Sequence, residues 1–324
     1  MLIVQKFGGS SIADGDRLRR AAGICMRQRQ NGNEVVVVVS AMGDTTDLLA
    51  DRARVLGGKP SPREMDALIT TGEQQSAALL VMTMESLGIP AVSLAGWQAG
   101  IYTDCRYGDS DIRLIAPVRI REALSRGRVP VVTGFQGVCA AGDITSLGRG
   151  GSDTTAVALA AALESDCCEI YTDVDGIYTA DPRQIPDAVK LSAIDYRDML
   201  ALAGAGSQVL HAKSVELAMA NSVVIHLLSS FNDAPGSQVR ALRDGSRPDF
   251  AGITRSRTSG EISLAGKAAD AAALSRAVLL LAAEGIEVLS GSVGDGRISV
   301  LVGEAEQPHA MQLLHREMIL DALK

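Results

Sequence analysis

Aromatic side chains are scarce in this 324-residue chain, since phenylalanine, tryptophan and tyrosine together make up 3% of it. Proteins that bind single-stranded nucleic acid stack the bases on aromatic rings, so the composition argues against that class. The charge argues against duplex DNA and membrane surfaces, because 38 acidic residues outnumber 31 basic ones and the net charge is -7. We therefore expect neither a nucleic acid nor a membrane as a partner.

Long apolar runs are also missing. The longest, at residues 35–39 and 277–283, are far shorter than the ~20 residues of a membrane-spanning helix. The amino terminus turns polar at Gln5 and lacks the basic leader and apolar core of a signal peptide. The five cysteines are odd in number and form no Cys-x-x-Cys pair, which argues against a disulfide framework or a zinc site. A cytoplasmic location is expected.

The order of predicted elements indicates the fold class. Short β-branched runs alternate with longer helical patterns over residues 1–240, and the valine run at 35–39 is typical of a strand buried on both faces. This alternation predicts an α/β sandwich with a mainly parallel sheet. Among its helices, the pattern predicts a continuous one over residues 63–87 and an alanine-rich one over residues 153–163.

A cluster of turn-forming and charged residues at 232–248 marks a change in composition. Beyond it, the pattern predicts a strand, a helix, two strands and a helix, which is a small α+β unit of βαββα order. We predict a first domain over residues 1–240, a linker over 241–249 and a small domain over 250–324.

Two Gly-Gly-Ser turns are the strongest candidates for a binding site. One lies in Lys-Phe-Gly-Gly-Ser-Ser at residues 6–11, after the first predicted strand, and the other in Gly-Arg-Gly-Gly-Ser-Asp at residues 148–153, before the alanine-rich helix. Paired glycines let backbone N–H groups approach an anion, and a helix start adds a positive dipole end. Each turn carries a cation, Lys6 or Arg149, that suits a phosphoryl group or a carboxylate. Either could be an ordinary turn with a serine helix cap, but two turns with a cation each favour an anion site.

Two further segments carry candidate residues. Residues 171–183 follow a predicted buried strand, so they lie at the carboxyl edge of the sheet, where open α/β folds bind ligands. Their Asp-Gly and Asp-Pro pairs could instead simply make turns. Residues 68–73 place Glu73 after a glycine within a helical pattern, and on its own Glu73 is expected to be a solvated helix charge.

Together these segments resemble the aspartate kinases of the amino acid kinase family. Besides the two turns, the resemblance includes Ser-Ala-Met-Gly-Asp-Thr-Thr-Asp at 40–47, Thr-Gly-Glu at 71–73, Gly-Phe-Gln-Gly at 134–137 and the stretch at 172–183. The Lys-Phe-Gly-Gly opening combined with Arg-Gly-Gly-Ser-Asp is specific to aspartate kinases. Acetylglutamate, glutamate 5- and uridylate kinases share the sandwich but not this combination.

The resemblance implies an α/β/α sandwich that phosphorylates the side-chain carboxylate of L-aspartate with ATP and gives 4-phospho-L-aspartate. A carboxylate is already a nucleophile at neutral pH, so the site has to position the reactants and stabilise charge rather than supply a strong base. Mg²⁺ would be carried by ATP oxygens and water, and no all-protein metal site is expected. A homodimer, formed partly through the small carboxyl-terminal domain, is also expected.

The resemblance also implies roles for individual residues. Lys6 would contact the transferring phosphoryl group, and Asp153 would hold Lys6 in place. Arg149 would bind the α-carboxylate of aspartate and Glu73 its ammonium group. The other substrate-binding residues implied are Ser40, Thr46, Gly150 and Ser152. The nucleotide-binding residues implied, besides Lys6, are Gly8, Gly9, Ser10, Thr172, Asp173, Tyr178, Asp181, Arg183 and Gln208.

Two features depart from the family pattern. Gln208 stands where the family commonly has a lysine that contacts the nucleotide phosphates, and nearby Lys213 matches a different basic position, so weaker ATP binding is expected. Residues 250–324 have room for one ACT module, the βαββα unit that binds the feedback amino acid, where family members usually have two. The effector loop also lacks the common Pro-Gly, so inhibition by lysine or threonine is expected to be weak or absent.

Two other functions stay open at this stage. One is a kinase for a related acidic amino acid in a specialised biosynthetic pathway, because Arg149 and Glu73 would contact only the head of an amino acid. The other is a non-catalytic regulatory subunit, which Gln208 alone supports.

Overall fold

The computed structural model describes residues 1–56 and 58–321. The strands, in chain order, are β1 Leu2–Phe7, β2 Glu34–Val39, β3 Ala91–Leu94, β4 Ile101–Thr103, β5 Ile112–Ile115, β6 Val129–Thr133, β7 Gln136–Cys139, β8 Ile144–Ser146, β9 Cys167–Thr172, β10 Ile177–Tyr178, β11 Lys190–Leu191, β12 Ala193–Ile194, β13 Ile225–Ser229, β14 Ser237–Val239, β15 Gly252–Arg255, β16 Glu261–Ala265, β17 Val288–Gly294 and β18 Arg297–Val302. The helices are α1 Gly15–Gln30, α2 Thr45–Val55, α3 Pro62–Ile69, α4 Thr71–Ser86, α5 Val118–Ser125, α6 Gly151–Leu163, α7 Tyr196–Gly204, α8 Ala212–Asn221, α9 Ala271–Ala283 and α10 Gln307–His315.

Two compact units make up the chain. The first consists of Met1–Asp175 and Ala220–Pro235, and the second of Gly176–Met219 and the chain from Gly236 onward. The domain boundaries predicted from the sequence at residues 240 and 249 stay predictions, and so do the roles given to those domains. Within the described residues, no helix combines the length and hydropathy that a membrane span requires.

The first unit is built on six parallel strands in the order β13-β9-β1-β2-β6-β3. Helices α1 and α4 pack on one face, where Phe7 joins their apolar side chains and the valines of β2 in one buried cluster. Because successive side chains of a strand point to opposite faces, Lys6 points to the other face, where α6 packs against β1. The sheet therefore delivers Lys6 to the amino-terminal end of α6.

The continuous helix predicted over residues 63–87 is wrong, because the chain forms two helices, α3 and α4, that meet at Thr70. The Thr70 hydroxyl donates to the Asp66 carbonyl at 2.7 Å, a contact that often bends helices. The side-chain amide of Gln136 donates to the Thr70 carbonyl at 2.8 Å. The break leaves Glu73 in the first turn of α4.

A second sheet in the first unit, in the order β5-β4-β7-β8, is absent from the sequence-based prediction. Its strands have only three or four residues each, which is too short for a clear alternation of polar and apolar side chains. Strand β8 matters most for the site, because it ends just before the second Gly-Gly-Ser turn.

The second unit contains an antiparallel sheet in the order β15-β16-β18-β17. Apolar side chains of β16 and β18 form a buried cluster with α9 and α10, and representative members are Ile262, Leu281, Val300 and Leu314. The predicted α+β unit is confirmed, and β15 adds one strand before its βαββα order. The parallel pair β12–β14 and the antiparallel pair β10–β11 belong to the same unit.

Candidate active site

The first Gly-Gly-Ser turn is shaped by close packing of its backbone. Strand β1 ends at Phe7, and the chain enters a short 3-10 turn at Gly9–Ile12. A Cβ atom on Gly9 would lie 2.6 Å from the carbonyl oxygen of Ala41, so glycine alone lets the backbone approach this closely. The N–H of Gly8 donates to the carbonyl of Tyr171 at 3.1 Å. Gly8 is one of the implied nucleotide-binding residues, but its N–H is not available to a phosphoryl group in this structure, because it already bonds to β9.

Lys6 and Asp153 form an ion pair beside this turn. Lys6 Nζ lies 2.7 Å from Asp153 Oδ1, and both side chains are largely shielded from water. Strand β1 supplies Lys6, and the first turn of α6 supplies Asp153. The weaker solvent screening at such a depth strengthens the attraction and fixes the direction of the ammonium group.

The second Gly-Gly-Ser turn depends on backbone conformation. Gly148 and Gly150 have φ angles of +72° and +69°, in the left-handed region that favours glycine. Gly150 is the residue before α6, and Ser152 lies inside the first helical turn. The serine cap considered for this turn is therefore wrong, and so is the one considered for the first, where Gly8 precedes the 3-10 turn and no side chain caps it.

Arg149 projects from the second turn in a very different state from Lys6. Its side chain is exposed, and it forms no ion pair within the described residues. The start of α6 beside it leaves backbone N–H groups without helical acceptors. A free guanidinium next to a helix amino terminus is suited to a carboxylate or a phosphate.

Both turns line one cavity of about 790 Å³ in the first unit. The predicted site residues that line it are Lys6, Gly9, Ser40, Thr46, Glu73, Arg149, Gly150, Ser152 and Asp153. Gly8 and Ser10 are not among the lining residues. The lining residues that sequence reasoning missed include Asp66, Gly108, Phe135 and Ser146. Asp66 gives no signal in the sequence, because one acidic residue in a helical pattern is ordinary.

Glu73 is buried, with 3% of its surface exposed, so its interpretation as a solvated helix charge is wrong. Its Oε1 atom accepts a hydrogen bond from the Ala41 N–H at 3.1 Å, and its Oε2 atom has no hydrogen-bond partner among the described residues. Burial raises the pKa of Glu73 to about 7, and the backbone hydrogen bonds oppose this shift only partly. A carboxyl group in this state is poised to take up a cationic partner.

The residues predicted to bind the nucleotide lie in both units. In the first, Thr172 ends β9 and donates through its hydroxyl to Asp173 at 3.0 Å. Because β9 pairs in parallel with β1, Thr172 at the end of β9 lies at the same sheet edge as the first Gly-Gly-Ser turn. Neither Thr172 nor Asp173 is among the residues that line the cavity.

The remaining predicted nucleotide residues lie in the second unit. Tyr178 is the last residue of β10. Arg183 donates to both carboxylate oxygens of Asp181 at 3.0 Å, and this pairing lowers the pKa of Asp181. Gln208 is exposed.

Comparison with known proteins gives the chain a family. The profile described as the amino acid kinase family matches residues 1–229. The chain belongs to this family. Among related amino acid kinases, the aspartokinase of Mycolicibacterium smegmatis is 49% identical over 269 residues, which cover 82% of this chain and 64% of that protein. The aspartokinase of Corynebacterium efficiens is 44% identical over 326 residues, covering 97% of this chain and 77% of its own length. The chain thus spans less than two thirds of the first relative.

Two solved structures of aspartate kinases align with nearly the whole of this chain. Aspartate kinase from Synechocystis aligns with a TM-score of 0.69 at 31% identity, covering 98% of this chain and 69% of the other. Aspartokinase III of E. coli, in complex with aspartate and ADP, aligns with a TM-score of 0.85 over 98% of this chain and 100% of the other. At 20% identity the second comparison supports the fold alone. The family and fold class predicted from the motifs are confirmed.

Proposed function

We propose that this chain is an aspartate kinase, which transfers the γ-phosphoryl group of ATP to the side-chain carboxylate of L-aspartate. The observation that carries the proposal is the meeting of Lys6, Asp153, Arg149 and Glu73 at a single cavity. This set offers two cations, one of them already oriented, and one buried carboxyl group without a full set of partners. Relatives named aspartokinase at 44% and 49% identity support the same assignment.

The acceptor amino acid binds through its head group. The exposed guanidinium of Arg149 is placed to form a bidentate pair with the α-carboxylate. The unpartnered Oε2 atom of Glu73 accepts from the α-ammonium group, which favours the charged form of Glu73 and offsets the cost of its burial. Ser40, Thr46 and Ser152 supply neutral hydrogen bonds around the bound amino acid.

The transfer step needs no general base. One oxygen of the aspartate side-chain carboxylate attacks the γ-phosphorus while the bond to the β,γ-bridging oxygen breaks, and ADP leaves with the electron pair of that bond. Lys6 brings its positive charge to the phosphoryl group, and Asp153 keeps the lysine ammonium fixed in direction. The main contribution of the protein is to hold two anions in line at one place.

Magnesium would be held at this site mainly by the oxygens of ATP and by water. Within the described part of the chain, no three histidine, cysteine, aspartate or glutamate side chains come together as a metal site, and the nearest carboxylate to Lys6 is engaged by it. Phosphate oxygens and water are the ligands that Mg²⁺ ordinarily keeps in such sites. When bound, the ion neutralises charge on the phosphates.

Other properties belong to the proposal as well. Thr172, Asp173, Tyr178, Asp181, Arg183 and Gln208 bind the nucleotide, with weaker affinity than a lysine at position 208 would give. The enzyme is cytoplasmic and forms a homodimer, partly through the α+β unit over residues 250–324. Inhibition by lysine or threonine is weak or absent.

A coupled assay of ADP release tests the function. The acceptor panel contains aspartate, glutamate, N-acetylglutamate and β-substituted aspartates, each with and without lysine and threonine at millimolar concentration. We expect ADP release that depends on aspartate and is little affected by either effector. A clear preference for another acidic amino acid would move the assignment to a specialised kinase, and no turnover with any acceptor would favour a non-catalytic subunit.

A further inference from the structure

Asp66 is a buried carboxylate at the wall of the cavity, and neither the binding of the acceptor nor the transfer step proposed for this site uses it. It lies in α3 with 1% of its surface exposed. Its Oδ2 atom accepts from the N–H groups of Gly108 and Ser146, both at 2.9 Å. Its Oδ1 atom accepts from the hydroxyl of Ser146 at 2.7 Å. Three donors, from Gly108 and from Ser146 at the end of β8, therefore converge on one side chain.

No lysine or arginine pairs with Asp66 in the part of the chain that the structure describes. Burying a carboxylate without a cation is costly unless hydrogen bonds satisfy its oxygens. The three donors do so here, which means that the charge and the loop geometry depend on each other. Removing the side chain would leave the N–H groups of Gly108 and Ser146 without this acceptor.

The side chain of Asp66 holds the segment that carries Arg149. Ser146 is the last residue of β8 and stands two positions before Gly148 in the second Gly-Gly-Ser turn. Gly108 precedes Asp109, whose Oδ1 atom would lie 2.7 Å from a Cβ atom on Gly148. Asp66 therefore fixes the second Gly-Gly-Ser turn in two ways. It bonds to Ser146, which leads into the turn, and to Gly108, whose neighbour Asp109 packs against the turn.

The backbone of Asp66 holds the other half of the amino-acid site. Its carbonyl accepts from the Thr70 N–H at 3.2 Å and from the Thr70 hydroxyl at 2.7 Å. These bonds set the junction at which α3 ends and α4 begins. Glu73 lies in the first turn of α4, so its position follows from that junction.

We propose that Asp66 is a positioning residue for the acceptor amino acid, which sets the spacing between Arg149 and Glu73 by bonding the segments that carry them. This inference rests on the proposed function, because it assigns those two residues to the head group of the substrate. In this role Asp66 acts through the segments that carry Arg149 and Glu73, and not by contacting ATP or the acceptor. Its loss should therefore weaken acceptor binding more than ATP binding.

The test is Asp66→Ala, which removes the acceptor of all three hydrogen bonds and leaves the backbone carbonyl at this position in place. We expect the KM for aspartate to rise roughly 10- to 100-fold, because displacements near 1 Å at a reacting site have effects of this size. The KM for ATP should change less than about twofold. The matched control is Asp198→Ala in the second unit, where Asp198 is also 1% exposed and pairs with Arg247 at 2.5 Å. That variant should lose stability without a change in the KM for aspartate.

Ser146→Ala gives a second measurement if Asp66→Ala fails to fold. It removes one of the three hydrogen bonds, and we expect the KM for aspartate to rise roughly fivefold. An unchanged KM for aspartate in folded Asp66→Ala, or in Ser146→Ala, would overturn the positioning role while wild-type turnover left the proposed function standing. Equal rises in the KM values of ATP and aspartate would also overturn it. Absence of turnover by the wild type with every acceptor would overturn both the positioning role and the proposed function.

Discussion

Strand β1 carries a buried and paired cation just before the first Gly-Gly-Ser turn, whereas the turn before α6 carries an exposed and unpaired one. Lys6 is held by Asp153 at 2.7 Å, while Arg149 has no ion-pair partner among the described residues. The two turns share Gly-Gly-Ser, yet one needs glycine for close approach and the other for positive φ angles. The difference indicates a division of labour, in which Lys6 is oriented in advance for the phosphoryl group and Arg149 is free to take up the acceptor.

The largest effect is expected from Lys6→Ala. Removing an oriented charge from the transferring group should lower kcat by roughly 10³-fold or more, with the fold retained. Steady-state assays and circular dichroism measure the two quantities. Lys267→Ala, which removes a partly exposed lysine of the second unit, is the control and should leave kcat unchanged. Comparable kcat values for the two variants would remove Lys6 from the transfer step.

Arg149→Gln should act on binding rather than on transfer. The side chain loses a bidentate pair with the α-carboxylate, so we expect the KM for aspartate to rise roughly 10- to 100-fold with a smaller change in the KM for ATP. Titration of both substrates measures the split. A fall in kcat alone, with both KM values unchanged, would show that Arg149 acts in the transfer step as Lys6 does. The division of labour between the two residues would then be wrong.

Glu73 predicts how aspartate binding depends on pH. Because its pKa is about 7 without substrate, Glu73 lacks the charge that pairs with the ammonium group at lower pH. The KM for aspartate should therefore rise as the pH falls below about 7, by roughly tenfold per pH unit. Glu73→Gln should have a high KM for aspartate at every pH. A pH dependence that persists in this variant would assign the titration to another group.

The same pKa makes a prediction about stability. The folded protein holds the Glu73 proton up to a pH of about 7, whereas the unfolded chain releases it near 4.5. The folded state therefore binds more protons over this window, and this group lowers the free energy of unfolding as the pH rises from about 4.5 to about 7. Urea unfolding of the wild type and Glu73→Gln should show a shallower decline in the variant. Parallel pH profiles would contradict a raised pKa.

The smallest effects separate the two uses of glycine. Gly9→Ala places a Cβ atom against the Ala41 carbonyl and should lower the free energy of unfolding by about 1–3 kcal/mol. Gly150→Ala puts alanine at a φ of +69° and should cost about 1–2 kcal/mol. Gly8→Ala is the control, since its Cβ atom would meet nothing closer than 3.6 Å. A cost for Gly8→Ala as large as that for Gly9→Ala would contradict the close-packing argument.

Local patterns in the sequence predicted much of the fold. The valine run at residues 35–39 lies within β2, as predicted, because a strand buried on both faces has an apolar residue at nearly every position. Lys6 and Asp153 were both identified from their motifs, and the structure brings them into contact. Motif resemblance located them, since spacing alone does not bring residues 6 and 153 together.

Features that depend on distant parts of the chain could not be predicted in this way. The helix break at Thr70 involves a bond from Gln136, which is 66 positions away in sequence. The burial of Glu73 depends on the chain around Ala41, and the role inferred for Asp66 depends on donors from Gly108 and Ser146. None of these contacts leaves a periodic signal.

Trapping of the product by hydroxylamine tests the central claim most directly, because an acyl phosphate reacts with it to give a hydroxamate. Wild-type enzyme is incubated with ATP, Mg²⁺, L-aspartate and hydroxylamine, and the product is identified by mass spectrometry. With aspartate at a concentration below its KM for the wild type, we predict the side-chain hydroxamate of aspartate in the wild type, almost none in Lys6→Ala and roughly 10- to 100-fold less than wild type in Arg149→Gln. ADP release by the wild type without any hydroxamate, or equal hydroxamate formation by the wild type and both variants, would contradict the account.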